Sequence, residues 1–455
     1  MAKKKQIELT IEEKLQNALV PKEEQPYKIP SNWCWVRLES INKYKSETLN
    51  PKNAMEKMFE LYSVPSFDNK YPEILIGKDI GSNKYIVKKN DILLCKINPR
   101  INRVWQVYQH TNFGQICSSE WIVIRNEILN RSFLRYYFTS EYFRNRLCEN
   151  VSGVGGSLTR AKPKLVQLYE VPLSPINEQQ RIVNIIESLF AKLDRAKELI
   201  ENTLAQWEQN KMAILHKAFT GELTAKWRKE NNIDLSSWEI VSIKDIGEVK
   251  GGKRLPKGEM LVNENTGHPY IKAGNLKNGT VAFNDLQYLK PQVYEKIKKY
   301  IVKENDVYIT IVGACIGDVG IIPKEVNGAN LTENAAKITN LKCNAKFLSI
   351  QLSISSVQKQ IKGKIASATL GKLSLQNIKN IQIKMPTIEE QQEIVNILDK
   401  LLAKYNKIKN LEQQLEKIEL LKKAILAKAF RGELGTNNPD EESAENLLKE
   451  ILAEK

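Results

Sequence analysis

The chain has 455 residues, 42% of them hydrophobic, and 69 lysines and arginines against 53 aspartates and glutamates give a formal net charge of +16. This length exceeds a single hydrophobic core and fits about three or four domain-sized units. The charge favours a polyanion or an acidic surface as partner, although a basic soluble protein without such a partner is the plainer interpretation. No apolar run approaches the roughly 18 residues of a membrane span, and no apolar segment follows the N-terminal lysines, which argues against membrane spanning and secretion.

The residues that would carry metal or catalytic chemistry are scattered. The six cysteines form no CxxC pair, and His110, His216 and His268 lie far apart. We therefore expect no zinc site, no disulfide framework, no metal and a reducing, cytoplasmic location. The stretch GGKRLPKG lacks the residue order of a phosphate-binding loop, and no acid–base pair is evident. The sequence predicts a chain that catalyses nothing alone and binds no cofactor; an enzyme with dispersed site residues, such as a nuclease, is the alternative.

The N-terminal half begins with a polar segment, residues 1–28, whose amphipathic spacing from Ile11 to Leu19 stops at Pro21. We expect one helix and a linker there, either packed on another element or loosely held. Residues 29–176 form the first predicted domain, which opens with the apolar alternation of a strand leading into a short helix. Its strand-like runs DILLC and SEWIVI and a helical stretch from Phe133 predict an α+β fold.

A long helix is predicted over residues 177–222, after a proline-bearing approach. Its apolar positions recur at alternating steps of three and four residues, which is the period of a coiled coil. The predicted seam contains Ile182, Ile186, Leu189, Leu193, Ala196, Ile200, Thr203, Trp207, Asn210 and Ile214.

A linker, residues 223–234, leads to the second predicted domain, residues 235–387, which repeats the opening strand and short helix of the first. A second long helix is predicted over residues 388–432. The acidic tail, residues 433–455, has an apolar side, so a short docked helix and a frayed terminus are both open. The second predicted seam contains Ile394, Leu398, Leu401, Tyr405, Ile408, Leu411, Leu415, Ile418, Leu421 and Ile425.

Two segments of these helices occur twice. EQQRIVNIIESLFAK from Glu178 and EQQEIVNILDKLLAK from Glu390 share ten of fifteen residues at an offset of 212. AILHKAFTGEL from Ala213 is matched by AILAKAFRGEL from Ala424. We therefore expect a pseudo-twofold internal repeat whose two seams pair as an antiparallel coiled coil. About forty residues at about 1.5 Å each make a spacer of roughly 60 Å between the two domains.

Candidate DNA contacts in the first domain lie in CKINPRINRVWQ, which follows a predicted strand. This stretch combines lysine and arginine, suited to phosphates and guanine edges, with asparagine, suited to adenine edges. A second stretch, SLTR, combines two hydroxyl side chains with a basic side chain. The candidates are Lys96, Asn98, Arg100, Arg103, Ser157, Thr159 and Arg160.

The second domain offers a similar mixture in KAGNLKNG and in TLGK. Ordinary surface loops and flexible turns are the alternative for each stretch considered alone. The matching positions of SLTR and TLGK in the two halves favour close approach of the backbone to a phosphate. The candidates are Lys272, Asn275, Lys277, Thr369 and Lys372.

The repeated domain, the EQQ start of each long helix, the heptad pattern and the AlaPhexGlyGluLeu end together resemble the specificity subunit of type I restriction-modification systems. The resemblance covers nearly the whole chain. It implies an α+β fold with two tandem target recognition domains, separated by two long helices of the type conserved in that family. CKINPR departs from the glycine-containing turn that related proteins tend to show after this strand.

The resemblance also implies a non-catalytic subunit in which each recognition domain reads one half of a bipartite double-stranded DNA site. The coiled coil would set the gap and dock two methyltransferase (modification) subunits, and restriction subunits would join for cleavage. S-adenosylmethionine, ATP and Mg would be used by those partners. The alternative from a different class is a coiled-coil scaffold whose globular ends bind acidic protein partners.

Overall fold

The structure, a computed structural model, describes residues 9–152, 159–365 and 371–454; for residues 402 and 404–409 it describes the helical backbone only. The chain divides into two compact units, Met1–Ile200 with Glu412–Lys455 (unit 1) and Glu201–Leu411 (unit 2). Within the described ranges no helix is long and apolar enough to cross a membrane, and no three His, Cys, Asp or Glu side chains are grouped as metal ligands.

The N-terminal half of the chain is a mixed domain of short strands and helices, followed by a long helix. Its strands are β1 (Cys34–Arg37), β2 (Thr48–Leu49), β3 (Met58–Tyr62), β4 (Glu73–Ile76), β5 (Lys84–Ile86), β6 (Ile92–Cys95), β7 (Val104–Gln106), β8 (Gly114–Cys117), β9 (Trp121–Ile124), β10 (Val151–Ser152), β11 (Arg160–Ala161) and β12 (Glu170–Leu173). Its helices are α1 (Ile11–Ala18), α2 (Leu38–Ile41), α3 (Arg131–Thr139), α4 (Glu141–Glu149), α5 (Pro163–Val166) and α6 (Ile176–Thr220).

The C-terminal half has a second mixed domain, a second long helix and a short last helix. Its strands are β13 (Glu239–Ser242), β14 (Glu248–Gly251), β15 (Pro269–Ile271), β16 (Leu276–Lys277), β17 (Thr280–Val281), β18 (Gln287–Tyr288), β19 (Val307–Thr310), β20 (Val319–Ile321), β21 (Asn330–Leu331), β22 (Ala335–Thr339) and β23 (Gln382–Met385). Its helices are α7 (Ala225–Glu230), α8 (Ile243–Ile246), α9 (Pro291–Ile297), α10 (Ala345–Ser353), α11 (Ser355–Gly363), α12 (Leu375–Lys379), α13 (Ile388–Ala429) and α14 (Ala444–Ala453).

The sheets of the two domains have related arrangements. In unit 1 the orders are β2-β5-β8-β3-β4 and β7-β6-β9, and β1 pairs with β12. In unit 2 they are β14-β22-β19-β20 and β18-β15-β21, and β13 pairs with β23. Every residue of β6, β9 and β19 is buried, which agrees with their continuous apolar runs. The opening strand of each domain therefore pairs with the strand that precedes the long helix.

The acidic tail folds as α14 onto unit 1. Ser443 caps this helix, and its apolar side is buried in the same core as α3 and the last residues of α13. Helix α1 packs against α14. The N-terminal amphipathic segment and the tail thus cover each other within unit 1.

The two long helices run antiparallel in each unit. In unit 1, Asp194 pairs with Lys422, and Lys197 Nζ lies 2.9 Å from Glu419 Oε1, so the partner number falls as the helix number rises. In unit 2, Phe219 near the end of α6 shares a core with Ile394 and Leu398 near the start of α13.

Three residues that were predicted to lie in the seam lie outside it in the structure. Thr203, Asn210 and Leu421 are exposed, whereas their neighbours Leu204, Lys211 and Lys422 are half-buried. At these places the four-residue step comes before the three-residue step instead of after it. The residue one position further along the helix is therefore the one that lies in the seam. Ile182, Ile186, Ile394 and Leu398 are buried, Leu189, Leu193, Ile200, Trp207, Leu401 and Leu415 are half-buried, and the side chains of Tyr405 and Ile408 lie outside the described residues.

The glycine of each GlyGluLeu segment follows the end of a long helix. Gly221 has φ +85° and Gly432 has φ +74°, the left-handed conformation that glycine adopts without strain. A Cβ at Gly432 would lie 2.3 Å from Pro30 Cγ, and one at Gly221 would lie 2.4 Å from Leu235 Cδ1. The repeated glycine is therefore required both by the turn and by the close approach of the domain opening.

Candidate nucleic-acid interface

The first EQQ motif joins distant parts of unit 1 through one buried carboxylate. Glu178 Oε2 accepts hydrogen bonds from Trp33 Nε1 at 2.7 Å and from Asn437 Nδ2 at 3.0 Å. Its Oε1 accepts a bond from Thr436 Oγ1 at 3.0 Å. The start of α6 thus holds both the opening of the first domain and the segment after α13.

The second EQQ motif does the same in unit 2 with different donors. Glu390 Oε2 accepts a bond from Trp238 Nε1 at 2.8 Å. Its Oε1 accepts bonds from Thr224 Oγ1 at 2.6 Å and from Arg228 Nη1 at 2.5 Å. The start of α13 therefore holds the opening of the second domain and the segment after α6.

The glutamines of each motif bind the cap of a domain helix. Gln179 Oε1 accepts a bond from the backbone N–H of Asn130 at 3.0 Å, and Gln391 Oε1 accepts one from that of Asn344 at 2.8 Å. Asn130 caps α3 and Asn344 caps α10. The repeated motif thus fixes the position of each domain on its long helix, a role that its residue types alone do not indicate.

The two candidate stretches of the first domain meet in the structure. Residues 96–103 connect β6 to β7, and the N–H of Ala161 donates to the carbonyl of Lys96 at 2.8 Å. The N–H of Asn98 donates to the carbonyl of Thr159 at 2.8 Å, and Ile97 forms a β-bridge with Arg160. Segments separated by about sixty residues of sequence therefore form one surface.

The side chains of this loop carry polar atoms without partners. Asn98 and Asn102 adopt the left-handed conformation on either side of a short turn, and their Oδ1 atoms are buried without a hydrogen bond among the described residues. The same holds for Arg103 Nε. Arg100 is exposed and Lys96 half-buried. These atoms are enclosed by protein, and Asn102 Nδ2 already donates to the carbonyl of Thr139 at 3.1 Å. The group of this loop that is open to a ligand is therefore the guanidinium of Arg100.

Arg160 already has an acidic partner. Its Nε lies 3.2 Å from Glu120 Oε2 and its Nη2 lies 3.3 Å from Glu120 Oε1, and both side chains are partly exposed. A phosphate at Arg160 must share or displace this carboxylate. Below the loop, burial raises the pKa of the Cys95 thiol. Thr159 is half-buried, and Ser157 lies outside the described residues.

In the second domain the uncharged residues that follow β19 occupy the equivalent place. The N–H of Leu373 donates to the carbonyl of Ile311 at 3.0 Å, and Val312 forms a β-bridge with Lys372. The uncharged residues after β19 thus pair with residues 372–373, as residues 96–98 pair with residues 159–161. Lys372 is exposed beside them, and Thr369 lies outside the described residues.

The KAGNLKNG stretch lies instead on a turn and on the β16–β17 hairpin. Asn275 is buried; its Oδ1 accepts a bond from the N–H of Lys272 at 3.0 Å and its Nδ2 donates to the carbonyl of Ala282 at 3.2 Å. Lys272 Nζ donates to Gln287 Oε1 at 3.0 Å, and Lys277 is exposed. The amide of Asn275 is therefore used to hold the turn and is not presented to a ligand.

An exposed aromatic group in unit 1 was not found from the sequence. The ring of His110 lies 4.6 Å from that of Tyr71 and 6.4 Å from that of Tyr108. Tyr71 and Tyr108 are about half exposed, so their faces are available for stacking. Tyr108 and His110 lie in the loop between β7 and β8, whereas Tyr71 lies just before β4, so no local sequence pattern relates all three.

Comparison with known proteins identifies the family. Residues 30–205 and 236–420 match the family described as type I restriction modification DNA specificity domain. The specificity subunit of the type I restriction enzyme EcoBI of Escherichia coli is 28% identical over 362 residues, which cover 75% of this chain and 74% of that protein. The EcoKI specificity subunit of Escherichia coli (strain K12) is 26% identical, with 84% of each chain covered.

Solved structures share the fold. One, described as the structural basis underlying complex assembly and conformational transition of the type I R-M system, has a TM-score of 0.71 at 21% identity and covers 90% of this chain and 100% of that chain. The HsdS subunit from Thermoanaerobacter tengcongensis has a TM-score of 0.56 at 22% identity, with the same coverage. The coiled-coil scaffold alternative finds no support. The chain belongs to the type I restriction modification DNA specificity domain family, as a non-catalytic specificity subunit with two tandem α+β target recognition domains and two long antiparallel helices.

Proposed function

We propose that this specificity subunit reads a bipartite double-stranded DNA target, one half with each recognition domain. The observation that carries the proposal is the paired surface of each domain, residues 96–98 with 159–161 in unit 1 and residues 311–312 with 372–373 in unit 2. In unit 1 this surface combines exposed Arg100 with the half-buried side chains of Lys96, Asn98 and Asn102. Such amide and guanidinium groups suit base edges, and the neighbouring lysine and arginine charges suit phosphates.

The proposal includes the helices as a ruler and as a docking surface. The EQQ motifs tie each domain to a helix start through buried hydrogen bonds, so a change in helix length would move the domain with it. A spacer of roughly 60 Å corresponds to between one and two turns of B-DNA at about 34–36 Å per turn. Two methyltransferase subunits would dock on the helices, and restriction subunits would join them in the cytoplasm. S-adenosylmethionine, ATP and Mg would be bound by those partners.

The experiment that tests this function is a methylation map. The chain is co-expressed with the methyltransferase encoded beside it, S-adenosylmethionine is supplied, and methylated bases are located genome-wide. We expect a single split motif with a fixed gap. Absence of methylation, together with absence of a stable complex on a sizing column, would refute the proposal.

Single substitutions assign the halves of the motif. Arg100→Ala and Lys96→Ala should weaken or relax only the half read by the first domain, and Lys372→Ala only the other half. Loss of one phosphate contact should lower the slope of log affinity against log salt by about one. Lys57→Ala, at an exposed lysine outside the paired surface, is the matched control.

A further inference from the structure

In unit 1 the N-terminal residues cover the free edge of the opening strand β1. The N–H of Val20 donates to the carbonyl of Trp35 at 2.9 Å, and Leu19 forms a β-bridge with Val36. Trp35 Nε1 donates to the carbonyl of Tyr27 at 3.2 Å. We name residues 19–27 the covering segment. Its first two residues bond to the backbone of β1, and Trp35 is only 1% exposed.

Tyr27 is the anchor of the covering segment. Its ring packs edge-on against Trp35 at 4.9 Å and against Tyr142 of α4 at 5.5 Å, and the guanidinium of Arg431 lies 5.4 Å from its centre. Burial raises the pKa of its hydroxyl. The segment therefore fills a groove bounded by β1, α4 and the end of α13.

The equivalent groove of unit 2 is open. It is bounded by β13, α11 and the end of α6, and it has a volume of about 940 Å³. Ile240, the second residue of β13 as Trp35 is of β1, is 69% exposed, and Met212 is exposed on the wall formed by α6. Within the described part of unit 2, β13 pairs with β23 on one side and with no strand on the other.

The charge of the open groove limits what can fill it. Three lysines, Lys211, Lys359 and Lys384, line it together with one carboxylate, that of Glu208, whose Oε1 lies 3.8 Å from Lys211 Nζ. The wall therefore has a net positive charge, which favours an acidic occupant. Apolar Ile240 and Val357 provide a floor for an aromatic ring, and Met212 extends the apolar surface onto the wall.

We propose that this groove binds a segment of a partner protein that is acidic, extended and carries an aromatic anchor. The segment adds to the free edge of β13 as residues 19–20 add to β1, a mode of recognition in which backbone bonds give affinity and a side-chain pocket gives specificity. A second copy of this chain is a poorer occupant, because its covering segment is already bound in its own unit 1. The inference does not depend on which DNA sequence is read.

The probe is a labelled peptide of residues 19–28, compared with a more acidic form carrying Lys22→Glu and Lys28→Glu. Fluorescence anisotropy with the full chain should show tighter binding of the acidic peptide, and added salt should reduce the difference. Replacing the tyrosine of either peptide with alanine should weaken binding by about tenfold.

Variants of the chain locate the site. Ile240→Glu and Met212→Glu each place a carboxylate on an exposed apolar part of the groove and should weaken binding of the acidic peptide by about tenfold or more. Met260→Glu, at a residue that is 76% exposed and outside the groove, should leave binding unchanged. No binding of either peptide at millimolar concentration, or equal affinity for all variants, would overturn the proposal. Dimerisation of the chain that Ile240→Glu abolishes would identify a second copy as the occupant and would also overturn it.

Discussion

The two EQQ anchors use the same carboxylate with different partners. Glu390 in unit 2 binds the buried guanidinium of Arg228, whereas Glu178 in unit 1 accepts bonds from the neutral groups of Thr436 and Asn437. Each glutamate also accepts a bond from the opening tryptophan of its domain. The two copies of the repeat thus share the glutamate acceptor, whereas the donors differ because they belong to the segments that follow the opposite long helix. Unit 2 relies on a buried ion pair where unit 1 relies on neutral hydrogen bonds and the docked helix α14.

The largest expected effect is the difference in stability lost when either glutamate is replaced by glutamine. Glu390→Gln leaves Arg228 buried without a carboxylate, which should destabilise unit 2 by about 3–5 kcal/mol. Glu178→Gln leaves only neutral donors around an amide and should destabilise unit 1 by about 1–3 kcal/mol. Hydrogen exchange measured by mass spectrometry on peptides from each unit gives the two values separately.

The double variant Arg228→Met/Glu390→Gln is the control for the ion pair. Removing both charges should recover a large part of the loss, because no buried charge is left without a partner. Equal destabilisation by Glu390→Gln and Glu178→Gln, with no recovery in the double variant, would contradict the comparison.

A smaller effect is expected at the phenylalanine of the repeated helix end. Phe430 packs against the rings of Phe133 and Tyr137, each at 5.2 Å, whereas among the described side chains Phe219 packs against the ring of Phe347, at 5.4 Å. Phe430→Ala should therefore cost about 3–4 kcal/mol and Phe219→Ala about 3 kcal/mol. Urea titration followed by exchange in each unit measures both values. A greater loss for Phe219→Ala would show that ring contacts do not set the order.

A third test concerns the repeated glycines. Alanine in the left-handed conformation costs about 1–2 kcal/mol, and the two sites differ in what the new methyl group meets. At Gly432 it meets the rigid ring of Pro30, whereas at Gly221 it meets the end of the flexible Leu235 side chain. Gly432→Ala should therefore cost more than Gly221→Ala.

Gly258→Ala is the matched control for the glycine variants. Gly258 has φ +84° and open space around it, so this variant reports the conformational cost alone. Thermal unfolding of the three variants would measure the order. A loss for Gly432→Ala no greater than that of the control would show that Pro30 moves aside.

The elements of the fold were predictable because they depend on local patterns. Continuous apolar runs predicted β6 and β9, and the apolar alternation at the domain openings predicted a strand followed by a short helix in both domains. Internal repetition predicted the antiparallel pairing of the helices. The inclusion of the C-terminal residues 412–455 in unit 1 was not predictable, because it depends on contacts such as that of Arg181 with Glu441, which are 260 residues apart.

The candidate site was predictable only in part, and for a similar reason. Residue types identified the CKINPR and SLTR stretches, but only the folded chain shows that their backbones pair. Asn275 has the right side chain for a base edge, yet its amide is bound to its own turn. A sequence shows which groups could bind DNA, whereas tertiary contacts decide which of them are free to do so.

The smallest expected effect is the pH dependence of the docked tail, which unit 2 lacks. Glu441 accepts a hydrogen bond from the guanidinium of Arg181 at 2.7 Å, and this bond lowers the pKa of Glu441 below its usual value of 4.5. A carboxyl group whose pKa is lower in the folded state stabilises that state fully above its unfolded pKa and loses this contribution as pH falls through the folded value. We therefore expect α14 to exchange faster as pH drops below about 4.5, by an amount equivalent to less than about 1 kcal/mol since the pair is partly exposed.

Glu441→Gln should show the faster exchange already at neutral pH, relative to the unsubstituted chain, and should remove the difference between the two proteins at low pH. An α14 in which the variant and the unsubstituted chain respond to pH identically would mean that the Arg181 pair does not hold the tail.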